Sequence, residues 1–444
     1  MKLKIVLFGI LTLLGDPARA DTFGNGGNIF TIEFVEIGNA GNGVDSGDGG
    51  GIYFSSYNQG AVPYPYLIGK YEISQNVITK ATASGLQHVT ASPWQSDQPA
   101  GQISWYEAAA FVNWLNTSTG HHVAYDLTWS DGGGEWTMNA WSPWQAWRKG
   151  GENLFRHKHA YYFLPSLDEW YKAAFHKNDG STANYWDYAT GSNEVPIPVA
   201  SGTNPGTAVY GQLSNDPAEV DNAGGTSAYG TMGQGGNVPE WQETEYAPQN
   251  VNPQGMRNVR GGGAGNVEQQ LRSEAVNYGS PTNDGINQGF RVARIFDTDT
   301  DGDTIFDQFE TATGIYVSPE DTGTDPNKAD SDGDGITDGE ELDTYHSNPN
   351  MKDTDNDDWE DGFEVSTGFD PASPMSSPDS LSSIRTAVEY RFNAALDISY
   401  RIESSTDLTN WTILETPILG AGGVITRFFS IEGQERRYFR SRRN

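Results

Sequence analysis

The chain has 444 residues, with 59 acidic against 27 basic side chains and a formal net charge of −32. Such an excess of anions repels polyphosphate and argues against nucleic acid as a partner. The 13 Trp, 21 Tyr and 19 Phe are too many for a disordered polyelectrolyte. There is no cysteine, so thiol catalysis, disulfide scaffolding, iron–sulfur clusters and Cys-ligated zinc are excluded outright.

Lys2 and Lys4 precede an apolar run from Ile5 to Leu14, and Ala18-Arg19-Ala20 has the form that signal peptidase accepts. The pattern predicts a signal peptide over 1–20, a mature chain from Asp21, and a secreted or cell-surface protein. The apolar run is about half the length a membrane-spanning helix needs, and no later segment approaches it, so no transmembrane segment is expected. An exported chain without disulfides needs another stabiliser, and calcium is the expected one.

Residues 21–296 form the first expected domain, with 26 acidic and 13 basic side chains. Strands are predicted over Ile29–Ile37, Ile52–Ser55 and Tyr66–Ile73, around a glycine-rich loop at Gly38–Gly51. Ser104-Trp105-Tyr106-Glu107 is a capping box, and Ala108, Phe111, Val112 and Leu115 follow at helical spacing. Ser166-Leu167-Asp168-Glu169 is a second, followed by Trp170, Tyr171, Ala173 and Ala174. Beyond Lys177 the chain is rich in Gly, Asn, Pro and Ser with little periodicity, which predicts an α+β domain with long surface loops.

Six blocks occur in order: Leu67–Glu72, Ile103–Ala108, Leu164–Trp170, Gly236–Trp241, Arg260–Gly263 and Gly289–Ala293. Together they resemble the formylglycine-generating (sulfatase-modifying factor) family, which implies a C-type-lectin-like fold over roughly 28–295. The resemblance puts a structural calcium at Gly236, Val238 and Glu240. The alternative for Glu240 is a cap or salt bridge, and Pro239 stands where the family commonly has Trp. Family members that make formylglycine use a cysteine pair between the Arg-Gly-Gly block and the Arg of Gly-Phe-Arg. In this chain the interval holds Ala264-Gly265-Asn266-Val267-Glu268-Gln269-Gln270-Leu271, without sulfur, so that reaction is not expected.

A different metal chemistry would need converging histidines and carboxylates. His157-Lys158-His159 could place two imidazoles on one side of a strand, with Glu152, Asp168 and Glu169 near in sequence. That is the alternative reading, an oxidoreductase of the same family; the plainer one is loop histidines. No nucleophile elbow supports a Ser/His/Asp triad. Trp136, Trp141, Trp144 and Trp147 cluster between the two capped helices, with Tyr161 and Tyr162 beyond. They are candidates for stacking on a glycan or protein ligand, or else the centre of a second small core.

Residues 297–370 carry 24 acidic and 2 basic side chains. A calcium loop requires carboxylates at positions 1, 3, 5 and 9, a backbone carbonyl at 7 and Glu at 12. Asp299, Asp301, Asp303, Ile305, Asp307 and Glu310 fit it; so do Asp330, Asp332, Asp334, Ile336, Asp338 and Glu341. Asp353, Asp355, Asp357, Trp359, Asp361 and Glu364 fit it again. Gly335 occupies the turn position of the second loop, where Thr304 and Asp358 stand in the others. A solvated acidic linker is the alternative, but three in-register copies with an apolar residue at position 7 argue against it. The segment resembles bacterial thrombospondin type 3 repeats, which implies a stiff calcium-loaded connector.

A Pro/Ser linker follows over 371–383, then alternating runs at Val388–Phe392, Ile398–Ser404, Trp411–Leu414, Val424–Ser430 and Arg437–Arg442. They predict a small all-β sandwich over 384–444. Tyr400–Leu408, Asn410-Trp411 and Tyr438-Phe439-Arg440 resemble a short C-terminal module of secreted bacterial proteins. The expected whole is a secreted calcium-binding protein whose catalytically degenerate head binds a glycan or protein.

Overall fold

The computed structural model describes residues 19–46, 59–90, 94–143, 145–148, 153–247, 250–283, 287–296, 298–319, 321–377, 387–430 and 436–444. The expected signal peptide lies largely outside these residues, as do the strand expected at Ile52–Ser55 and Trp144. The chain divides into two compact units. The first is Met1–Thr300 with Phe306–Thr311 and Val317–Thr322; the second is Asp301–Ile305, Ala312–Tyr316 and Gly323–Asn444.

In the first unit, strands β1 (Arg19–Phe23), β2 (Phe30–Ile37) and β3 (Tyr66–Gly69) open an antiparallel sheet. Along β2, Phe30, Ile32, Phe34 and Ile37 are buried, the period-two pattern of a half-covered strand. The strand expected to run to Ile73 stops at Gly69. Ser74 then caps a helix, α1 (Gln75–Ala83), accepting a bond from the Val77 amide. Helices α2 (Trp105–Thr119) and α3 (Leu167–Phe175) start at the two expected capping boxes, with the Ser104–Glu107 and Ser166–Glu169 bonds formed in both directions. Gly120, at φ 88°, ends α2 in the left-handed conformation that suits glycine.

Between α2 and α3 lie a hairpin of β4 (Asp126–Ser130) and β5 (Glu135–Asn139), a pair of β6 (Ala146–Trp147) and β7 (Asn153–His157), and β8 (Tyr162–Phe163). The loop-rich stretch beyond α3 holds a two-strand pair, β9 (Ile197–Pro198) and β10 (Thr207–Ala208). A second sheet joins β11 (Glu240–Glu245), β12 (Arg257–Arg260) and β13 (Asn277–Gly279). The last strand, β14 (Ala293–Arg294), enters the first sheet between β3 and β8, giving the order β1-β2-β3-β14-β8. Trp105, Trp147, Trp170 and Trp241 are among the largest fully buried side chains of this α+β head.

In the second unit, all five expected C-terminal strands form: β15 (Ala387–Ala394), β16 (Ser399–Ser405), β17 (Thr412–Leu419), β18 (Gly423–Ser430) and β19 (Tyr438–Arg443). They make one sheet of β17-β16-β19 and another of β15-β18. Ala394, Tyr400, Ile402 and Ile418 centre the core, with Phe392, Ile425 and Phe429 against it.

Candidate functional sites

The acidic loops of the second unit are wound by their own carboxylates. In the loop starting at Asp330, its two oxygens accept from the Gly333 and Gly335 amides at 2.7 and 3.1 Å. Asp332 accepts from Asp334 N at 3.1 Å, Asp334 from Ile336 N at 2.9 Å, and Asp338 from Ser331 N at 2.7 Å. The next loop repeats this with Asp353, Asp355, Asp357 and Asp361. Backbone amides thus engage both oxygens of Asp330 and Asp353, but leave one oxygen free on Asp332, Asp338, Asp355 and Asp357.

The remaining oxygens are the informative ones. Asp332 Oδ2, Asp338 Oδ2 and Glu341 Oε2 are buried without a hydrogen-bond partner, as are Asp355 Oδ2, Asp357 Oδ2 and both Glu364 oxygens. Asp338, Glu341, Asp361 and Glu364 are completely buried. Asp330, Asp332 and Asp334 bring oxygens within 4.8 Å of one another, and so do Asp353, Asp355 and Asp357. Burial, then neighbouring carboxylates, pushes Asp332 up to about 7, and burial pushes Glu341 up to about 9, Asp338 up to about 6 and Glu364 up to about 7. Unpartnered oxygens of neighbouring carboxylates around one point form a group that could hold a cation. In the loop from Asp299, Asp303 accepts from Ile305 N at 2.8 Å, and Asp307 from Thr300 N at 2.8 Å. Asp299, Asp307 and Glu310 belong to the first unit; Asp301, Asp303 and Ile305 belong to the second.

In the head, a cleft of about 450 Å³ opens where Gly263–Asn266 meets Asn215, Asn237, Pro239, Asn287, Gln288 and Trp94. Among the described residues its polar side chains are amides, beside the Trp94 indole. Glycine shapes it: a Cβ on Gly265 would collide with the Asn215 amide, and one on Gly263 would lie 2.9 Å from Pro239. Asn237 is fixed by donating to Glu72 and accepting from Ala218 N, at 2.6 and 2.8 Å. Asn266 accepts from Gly263 N at 2.7 Å, while Gln288 Oε1 is buried with no partner. The cleft can therefore trade neutral hydrogen bonds with a ligand. Among the described residues that line it there is no carboxylate, His, Lys or Arg.

Residues 48–296, more than half of the sequence, match the family model of the sulfatase-modifying factor enzyme 1-like domain. The chain belongs to that family. Residues 330–352, which hold the second acidic loop, match the bacterial TSP3 repeat. Among solved structures, the chain is similar to Treponema denticola variable protein 1, at 19% identity, covering 62% of this chain and 99% of that one, with a TM-score of 0.43. It is also similar to CarF, at 20% identity, 60% and 99% coverage and a TM-score of 0.41. PvdO from Pseudomonas aeruginosa follows at 16% identity, 62% and 98% coverage and a TM-score of 0.40. No curated protein matches the chain.

TSP3 repeats generally bind calcium, and the second loop fits such an ion, since its inward oxygens are hard donors and carry the charge that a divalent cation balances. In the sulfatase-modifying-factor head, the calcium implied at Gly236, Val238 and Glu240 meets a different arrangement. Both Glu240 oxygens are engaged: Arg291 Nε and Trp170 Nε1 donate to one at 2.7 Å, and Arg291 Nη2 to the other at 2.6 Å. Glu240 is thus the salt bridge that the sequence left as the alternative. Val238 N donates to Glu72 at 3.2 Å, and burial, followed by the nearby Glu240, holds Glu72 well above the usual carboxylate range.

A second ionic centre was not foreseen. Arg156 is 1% exposed and forks onto Glu169 at 2.7 Å and Glu243 at 2.6 Å, while its guanidinium lies 3.7 Å over the Phe163 ring. Tyr64 donates to Glu169 at 2.9 Å and Tyr125 to Glu243 at 2.8 Å. Against the burial that alone would raise it, Arg156 holds Glu169 below the usual range; for Glu243 burial wins and the carboxyl rises.

The histidine alternative gains nothing from the geometry. His157 is buried and stacks on His122 at 3.6 Å with Trp141 edge-on at 4.7 Å, and its ring is 5.4 Å from that of His159. Glu169 is taken by Arg156, Asp168 accepts from Gly60 N at 2.7 Å, and Glu152 lies outside the described residues. Among the described residues, every trio of ligand atoms close enough to share an ion is made of carboxylates. The tryptophans separate too. Trp147, at 2% exposure, is core rather than binding surface, because Tyr64, Phe163 and Phe309 pack around it. Trp141 is partly buried and donates to Ala124 O at 2.9 Å, whereas Trp136 lines an open cavity.

Proposed function

We propose that this is a secreted, calcium-binding protein whose head has given up formylglycine chemistry and binds an extracellular glycan or protein. The observation that carries this reading is the head cleft. At the position where the family's thiols would fall, the chain supplies glycine, alanine and asparagine, and the wall opposite adds further amides. Such a surface holds a neutral polar ligand by paired donors and acceptors, with the Gln288 oxygen available to accept and Trp94 to pack against a ring. In the connector, Asp330–Glu341 and Asp353–Glu364 would hold calcium, which supplies the positive charge those oxygens lack and so stiffens the loops.

If the signal peptide is removed before Asp21, the new terminus remains anchored. Asp21 is salt-bridged to Arg294 at 2.9 Å and accepts from Tyr162 OH at 2.9 Å, while Asp21–Phe23 still pair with β2. Among the described residues, no helix is long and apolar enough to cross a membrane.

The test is a glycan and protein array probed with the calcium-loaded mature chain, alongside metal analysis. The reading expects a saturable ligand whose binding weakens in Gln288→Ala, and calcium as the bound metal. Stoichiometric iron or copper lost on His157→Ala/His159→Ala, or conversion of a peptide thiol to an aldehyde, overturns it.

A further inference from the structure

The head holds a second cavity, also about 450 Å³, between the β4–β5 hairpin, the start of α2 and the segment at His88 and Thr90. Its aromatic wall is built by register. Trp129 and Trp136 are cross-strand partners, with ring centroids 5.2 Å apart and tilted by 66°. The His88 ring lies flat on Trp129 at 4.0 Å and 12°. Trp136 donates its indole N–H to His88 O at 3.2 Å, so its polar atom is satisfied internally, and the half-buried ring stands edge-on to His88 at 5.9 Å while lining the cavity. His88 reaches this place through a left-handed backbone, φ 58°.

The charge of the lining has one sign. Glu107 and Glu135 line the cavity, and among the described residues no Lys or Arg does. Glu107 is held in place: Ser104 N and Oγ donate to one oxygen at 2.9 and 2.8 Å, and Thr90 N to the other at 3.3 Å. Glu135 is exposed beside the Gly132–Gly134 turn, free to approach a ligand. Indole rings with one fixed and one mobile carboxylate beside them attract a cation by ring quadrupole and by charge together, and repel an anion.

We propose that this cavity takes up a lysine or arginine side chain from a protein partner. The proposal rests on the ligand-binding reading of the head and adds a second contact, distinct from the amide-lined cleft, with the opposite selectivity. A neutral ligand suits the cleft, and a basic side chain suits the hairpin cavity.

The test titrates the calcium-loaded mature chain with capped tripeptides Gly-Arg-Gly, Gly-Lys-Gly, Gly-Glu-Gly and Gly-Gln-Gly, and with N-acetylglucosamine, following tryptophan fluorescence. The expected result is saturable binding of the arginine and lysine peptides only. It should weaken about fivefold in Trp136→Ala and in Glu135→Gln, fall as salt rises, and be unchanged in Gln288→Ala. Glu135→Gln is a conservative change at an exposed strand end, so its effect does not depend on how the hairpin tolerates loss of the indole. Equal binding of the glutamate or glutamine peptide, preference for the sugar, or arginine binding untouched by both variants overturns the proposal. Ligand binding that depends on Gln288 but not on Trp136 or Glu135 would do so while leaving the cleft reading intact.

Discussion

In the head, buried carboxylates meet guanidinium groups of the same chain: Glu169 and Glu243 share Arg156, and Glu240 is closed by Arg291. In the connector, Asp332, Asp338, Glu341 and Glu364 are also withdrawn from water, yet each keeps a buried oxygen with no partner. Desolvating a carboxylate costs the same kind of free energy in both places. The head offsets it with residues encoded far away in sequence. The connector has only 2 basic residues among 74, and on the proposed reading a bound cation supplies the positive charge it lacks. The head should therefore fold in any buffer, and the connector should depend on its ion.

The largest expected effect follows directly. Chelating the full chain should expand the connector, seen as a larger radius of gyration and new proteolytic cuts within 323–370, while the melting transition of the head barely moves. Trp359 stacks on Phe363 at 5.0 Å in the third loop, so its fluorescence should report the change. Glu341→Gln or Glu364→Gln should weaken calcium uptake about tenfold or more, because each removes charge from a buried ligand set. Unchanged scattering and unchanged titration after chelation would break the comparison.

The converse experiment acts on the head. Arg156→Met leaves Glu169 and Glu243 buried without their shared cation and should cost about 3–5 kcal/mol in denaturant unfolding, with no rescue by calcium. A loss below about 1 kcal/mol would mean that water or protonation compensates for the guanidinium.

This contrast also marks what the sequence disclosed. The acidic loops, both capping boxes and the C-terminal strands rest on spacing within a dozen residues, and the capping boxes and strands formed as expected. Arg156–Glu243 and Arg291–Glu240 join residues 87 and 51 positions apart, a pairing with no local signature. Helix α1 was missed because Gln-Asn-Val-Ile-Thr-Lys-Ala-Thr-Ala buries only Ile78 and Ala81, too few to display a period. The tryptophan cluster was visible, but composition could not separate Trp147 in the core from Trp136 at a cavity. That distinction depends on which strand face each occupies, and Trp129 and His88, two further rings of the cavity, carry no signal that singles them out.

A smaller effect probes a head carboxylate that lacks a guanidinium bond. Asp168 accepts from Gly60 N, and burial pushes it up to about 6 from 3.8. Its folded-state pKa is raised, so the fold prefers the protonated form. The full contribution is present below pH 3.8 and is lost as pH rises to 6. Asp168→Asn should leave stability at pH 4 almost unchanged and raise it at pH 7–8 by up to about 3 kcal/mol. Parallel stability curves for the two proteins from pH 4 to 8 would show that the aspartate is ionised without penalty.

The smallest contrast lies between two capping boxes that look alike in sequence. Ser104 and Ser166 make the same bond to the N3 amide, so either serine replaced by alanine should cost about 1 kcal/mol. Their glutamates differ. Glu107 is only partly buried and serves Ser104 and Thr90, whereas Glu169 is fully buried and caps α3 while also receiving the Arg156 fork. Glu107→Gln can keep the Ser104 bonds at its one acceptor oxygen, loses only the exposed Thr90 N bond and should cost about 1 kcal/mol, while Glu169→Gln also takes a charge from beside a buried guanidinium and should cost about 3 kcal/mol or more. Equal losses would show that the Arg156 charge is balanced by Glu243 alone, and that Glu169 acts only as a cap.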